Sequence, residues 1–193
     1  MRKLLIFLVL LLVGCASDLS EENLSETVLE GKWKTECSYR SGADWYDIIT
    51  VEVVADRKSY TISNYLDSDC SMPNLSVMST SSFKIGKEIV LTTGQYVSEI
   101  DEVRTGTFMI PESEERTKIF NEESNCIVPY VKGRPMSYKQ CTGKDPIISN
   151  TEFHSIFKID KDVLYLGDTS TGSGSTTENR PTRLSVTKYI KQQ

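Results

Sequence analysis

The side chains able to do chemistry are few. His154 is the only histidine, so any Ser-His-Asp or Cys-His arrangement would have to use that one imidazole. It sits in Glu152-Phe153-His154-Ser155-Ile156-Phe157-Lys158-Ile159. Strand alternation there puts Phe153, Ser155, Phe157 and Ile159 on one face and Glu152, His154 and Lys158 on the other, the face expected to meet solvent. No Gly-x-Ser-x-Gly elbow accompanies it, and no enzyme of the nucleophilic kind is expected. Carboxylate-pair chemistry stays open, because pairing between strands is invisible in a sequence that holds 27 acidic residues. Asp67-Ser68-Asp69 and Asp160-Lys161-Asp162, with Asp168 beyond, lack the oxygen count, loop glycine and closing Glu of a calcium loop. They read as solvated turns. Gly172-Ser173-Gly174-Ser175 lacks the Gly-Lys-Ser/Thr ending of a phosphate loop. Neither metal nor other cofactor is expected.

The N-terminus carries a different kind of chemistry. Met-Arg-Lys is followed by an apolar run from Leu4 to Val13 and then Gly14-Cys15. Ten residues of helix rise about 15 Å, half of a ~30 Å hydrocarbon core, so the run fits a signal sequence and not a span. Leu12-Val13-Gly14-Cys15 resembles the lipobox of bacterial lipoproteins. The resemblance implies diacylglyceryl transfer to the Cys15 sulfur, cleavage before Cys15, and acylation of the new amino terminus with a palmitate-type chain. Two or three acyl chains hold a protein stably at a bilayer. Asp after the lipidated cysteine favours inner-membrane retention in Gram-negative members of that class. Ala16 therefore implies the outer membrane, on the cell-envelope side of a Gram-negative bacterium. Loss of residues 1–14 removes Arg2 and Lys3, leaving 20 basic against 27 acidic side chains and a formal charge of −7. Such a balance offers no basic patch for nucleic acid.

Setting Cys15 aside, an even set remains: Cys37, Cys70, Cys126 and Cys141. In an exported chain this reads as two disulfides. Three connectivities are possible, of which Cys37–Cys70 with Cys126–Cys141 is preferred because each closes a moderate loop between neighbouring strand candidates. Spacings of 33, 56 and 15 residues contain no close Cys pair for zinc.

The elements that must position these residues are strands. Residues 1–14 form the signal helix and 15–28 a polar, acidic tether. From 29 to 193 the pattern predicts one all-β domain. Trp33, Thr35, Cys37 and Tyr39 alternate with Lys32, Lys34, Glu36 and Ser38. Further strands are expected over 46–54, 59–66, 82–85, 88–92, 95–103, 107–110, 117–120, 127–131, 137–141, 152–159, 163–166 and 183–190, with turn signals between them. No sustained helical period follows the tether, and 169–177 reads as a flexible connection. The expected architecture is an antiparallel up-and-down barrel of about eight to ten strands.

Gly31-Lys32-Trp33 at the mouth of the first strand resembles the opening of the calycins, the lipocalin and fatty-acid-binding protein group. The resemblance implies that Trp33 plugs the closed end beneath a cation from the last strand, for which Arg183 and Lys188 are candidates. If the interior is hollow, tyrosines on the strands would wall it; Tyr39, Tyr60, Tyr96 and Tyr165 are the candidates. Two functions follow: a non-catalytic, membrane-anchored module binding a small apolar or amphipathic, lipid-like ligand, or a protein-interaction lipoprotein, an envelope-assembly accessory or inhibitor whose acidic surface steers a basic partner.

Overall fold

The computed structural model describes residues 28–124, 126, 128–137, 139–140 and 151–193. The signal segment, Cys15, all but the last residue of the tether, and Cys141 lie outside the described residues. The elements are β1 (Gly31–Lys34), β2 (Ser38–Arg40), β3 (Trp45–Val54), β4 (Arg57–Tyr65), β5 (Pro73–Val90), β6 (Tyr96–Pro111), α1 (Glu114–Glu123), β7 (Met136–Ser137), β8 (Glu152–Asp160), β9 (Val163–Leu166) and β10 (Tyr189–Lys191).

Eight of these strands close an antiparallel barrel in the order β1, β3, β4, β5, β6, β8, β9, β10, and back to β1. Every barrel strand pairs with the next barrel strand along the chain, so the topology is up-and-down. β2 extends the edge of β3, and β7 attaches to β6. Closure removes the exposed strand edges that an open sheet of this size would present.

Side chains facing inward follow from alternation and register. Trp33 stands opposite Val51, Val51 opposite Tyr60, and Tyr60 opposite Ser79. Leu29, Trp33, Val51, Val53, Phe83, Ile100, Phe157, Leu164 and Tyr189 form the main apolar cluster. Fully burying one such side chain contributes about 1.5–3 kcal/mol. A second cluster, Leu91, Val97 and Ile156 with Leu184 packed on it, lies outside the barrel. Ile156 alternates with the inward Ser155 and Phe157, and the β9–β10 connection covers it.

Several expected elements are corrected. The first strand breaks into β1 and β2, with residues 35–37 between them. The expected strands at 82–85 and 88–92 are one strand, β5, and those at 95–103 and 107–110 are β6; their register slips at Thr80/Ser81 and between Ile85 and Glu88. Irregularities of this kind let long strands bend around a barrel. Residues 117–120 belong to α1 and not to a strand. Ser113 caps that helix by accepting from the Arg116 N–H at 3.0 Å, and Glu114 and Glu115 sit in the first turn, where the helix dipole favours them. The last strand is Tyr189–Lys191, shorter and later than 183–190.

Candidate functional site

Trp33 packs in the main apolar cluster beneath a cation, though not one of the two expected. Trp33 is 1% exposed and donates its indole N–H to Leu29 O at 2.9 Å. The cation over the indole is Lys191, 5.0 Å from the ring centroid, in place of Arg183 or Lys188. Register explains the change: Lys191 stands directly opposite Trp33 across the β1–β10 pair. Arg183 precedes the strand and binds Asp168 at 2.7 Å, while Lys188 is exposed. Gly31 is required on two counts. Its φ is +125°, and a Cβ there would stand 3.0 Å from Lys191 Cε.

The barrel interior is hollow in part. A cavity of about 430 Å³ opens beside the β9–β10 connection. Its apolar wall comes from Ile49, Phe153 and Leu166, and its polar wall from Lys58, Tyr60, Glu102, Arg104 and Tyr189. Lys58 Nζ and Glu102 Oε1 are 2.5 Å apart, with side chains 9% and 15% exposed. Glu102 also accepts from Ser81 Oγ at 3.1 Å. Tyr60 and Tyr189 lie together in the wall, and burial raises the pKa of both above the ordinary tyrosine value. Arg104 lies over the Phe153 ring, 4.5 Å from its centroid.

Of the tyrosines expected to wall a cavity, Tyr60 does so. Tyr39 stands 56% exposed on β2, against the Tyr46 ring, and Tyr96 stands 61% exposed at the start of β6. Tyr165 pairs with Lys158, on the outer side of the β8–β9 hairpin. These three lie away from the lining because β2 is an edge appendage, β6 begins outside the barrel body, and Tyr165 has outward parity. Tyr189 takes their place, together with the charged Lys58, Glu102 and Arg104. Alternation carries a signal for them, since Lys58 shares parity with Tyr60, and Glu102 with Ile100. Charge alone argued the other way.

The connection between β9 and β10 is an ordered strap. Gly167 bridges Leu184, and the His154 N–H donates to Gly174 O at 2.8 Å. Arg180, with a side chain 10% exposed, donates to Ile100 O at 3.1 Å, Ser155 O at 2.6 Å and Asp101 Oδ1 at 2.8 Å. Asp101 Oδ1 also meets His154 Nδ1 at 2.7 Å. His154 therefore occupies the outward face as expected, yet it is covered and not solvated: its side chain is 12% exposed beneath the strap. Burial pushes the Asp101 carboxyl up, but the hydrogen bonds from His154 and Arg180 and the nearby positive charge outweigh it and hold it below the ordinary value. At the strap's base the Ser170 hydroxyl and Arg183 bring Asp168 down to about 2.

Cys37 and Cys70 form a disulfide, as preferred from sequence. It ties the β1–β2 junction to the β4–β5 turn. Cys126 is also disulfide-bonded; its expected partner Cys141 is outside the described residues.

The class these features define is a closed, eight-stranded, up-and-down β-barrel with an internal cavity, an architecture consistent with the calycin, lipocalin-like fold. Compared with protein-family models and with curated proteins, the sequence matches none.

Proposed function

We propose that this chain is a lipid-anchored cell-envelope protein whose barrel binds a small apolar or amphipathic molecule without transforming it. The cavity supports the reading: about 430 Å³, within the roughly 300–1,000 Å³ typical of small-molecule sites, with an apolar wall of Ile49, Phe153 and Leu166 facing a larger set of polar groups suited to an amphipathic molecule. The anchor rests on the Leu12-Val13-Gly14-Cys15 motif, and Ala16 favours the outer membrane.

The test is mass spectrometry of protein extracted gently from its native membrane. An acylated N-terminal Cys15 and a co-purified small molecule of cavity size are expected. An unmodified Cys15 removes the anchor, and a repeatedly empty barrel counts against the ligand. A second reading, docking of a basic partner protein, draws on Leu66 and Met72, which are 56% and 54% exposed and flank the acidic turn Asp67-Ser68-Asp69. The same extraction would show that partner in place of a small molecule.

A further inference from the structure

Among the described residues, the cavity contains a cation with no counter-charge. Lys58 is neutralised by Glu102 at 2.5 Å. Asp168, at the rim, is held by Arg183. Arg104 has neither: among the described residues no carboxylate lies within ion-pair distance of its guanidinium, which stacks on the Phe153 ring face. Stacking of a guanidinium on a ring engages the plane of the group and leaves its edge, with five N–H donors, unsatisfied. A half-buried guanidinium so placed is a ready partner for a planar or tetrahedral oxyanion, which it can bind through two parallel hydrogen bonds.

The surroundings select further. Ile49, Phe153 and Leu166 give an apolar wall within the same cavity, while the Ser79 and Ser81 hydroxyls already donate to Tyr60 O and Glu102 and leave the guanidinium as the donor available to a ligand. Ser81 is the register partner of Arg104 across the β5–β6 pair. An apolar body with one anionic end matches this lining; a neutral lipid would leave the guanidinium unpaired, and a cation would meet it directly.

We infer that Arg104 is the anion-recognition residue of the cavity, and that its ligand is a compact amphiphile with a carboxylate or phosphate head. The inference rests on the ligand-binding reading above and names the chemistry of that ligand. Phe153 acts as the positioning residue that holds the guanidinium.

The test uses the acylated protein in lipid nanodiscs, with empty nanodiscs as reference, and isothermal titration with octanoate, octyl phosphate, octanol and octylammonium. A charge-assisted hydrogen-bonded contact is worth roughly ten- to a hundredfold in affinity. One or both anions are expected to bind at least about tenfold more tightly than octanol, with octylammonium weakest; the ratio of octanoate to octyl phosphate distinguishes the two heads. Arg104→Gln should bring the anion-to-octanol affinity ratio to about one, with octanol still bound, which also reports an intact cavity. Arg104→Lys should keep part of the preference.

Equal binding of octanol and both anions to the natural protein would overturn the anion assignment and leave the cavity reading standing. An anion preference that survives Arg104→Gln would move the head to Lys58 and overturn the role of Arg104. Binding of none of the four probes would remove both readings. Should Arg104→Gln not fold, the anion-to-octanol ratio of the natural protein decides the anion assignment, and Arg104→Lys the role of Arg104.

Discussion

Lys58 and Glu102 lie on non-adjacent strands, β4 and β6, and meet across β5 inside the barrel. Their charged atoms are 2.5 Å apart and their side chains 9% and 15% exposed. Breaking a buried pair by removing one partner leaves an uncompensated charge and costs about 3–5 kcal/mol. The lower end applies here, because Glu102 keeps its bond from Ser81 Oγ at 3.1 Å and borders a cavity that admits water. Lys58→Met should therefore destabilise the protein by about 3 kcal/mol. With a urea dependence of about 2 kcal/mol per molar, the unfolding midpoint falls by about 1.5 M. The double variant Lys58→Met/Glu102→Leu removes both charges and should return to within about 1 kcal/mol of the natural protein, as hydrophobic replacements of buried pairs do. Urea unfolding followed by tryptophan fluorescence reads this directly, since Trp33 lies in the same barrel. The reasoning is refuted if each single change costs under about 1 kcal/mol and the two add without coupling, for then cavity water solvates both charges as bulk water would.

Further outcomes are expected. Gly31→Ala should destabilise by about 1–3 kcal/mol, from a positive φ that a side chain rarely adopts and a forced displacement of Lys191; Lys191→Met should lose only the cation–ring contact, about 0.5–2 kcal/mol, and both read out by chemical denaturation. Removing the Cys37–Cys70 disulfide, which closes a 33-residue separation, should cost about 3–4 kcal/mol by chain entropy, measured as the melting shift of the Cys37→Ala/Cys70→Ala variant. Arg180→Gln should loosen the strap, so that the His154 amide, bonded to Gly174 O, exchanges hydrogen faster while the Trp33 amide does not change. Asp101, with a folded pKa below its ordinary 3.8, contributes stability above that value that is lost as pH falls through the folded value; Asp101→Asn should therefore flatten the acid limb of a stability-against-pH curve.

Much of the fold is legible in the chain because period-2 alternation and closely spaced turns are local properties. β3, β4, β8 and β9 fall close to where alternation puts them. α1 is not legible because it is short, its two apolar residues Ile119 and Phe120 are adjacent and not spaced at a helical period, and none of its residues is buried. Its cap, Ser113, was the available signal. The candidate site was legible only at Tyr60. A charged residue on a strand reads as outward, and Lys58, Glu102 and Arg104 reverse that expectation only because they meet one another or an aromatic ring inside the barrel.

By itself the sequence determined the class and the chemistry available: an all-β domain, a Gly-x-Trp opening, a Cys37–Cys70 pair placed for a disulfide, and a single imidazole. These depend on residue identity and on spacing along the chain. Tertiary structure decided which residues share the interior. Lys191 covers Trp33 because register, and not proximity in sequence, sets the partner. His154 is covered because the strap folds back onto β8. Arg104 has no carboxylate partner among the described residues because closure of the barrel fixes its neighbours as Phe153 and Ser81 and commits Glu102 to Lys58. Each of these is a long-range contact, and no local pattern encodes it.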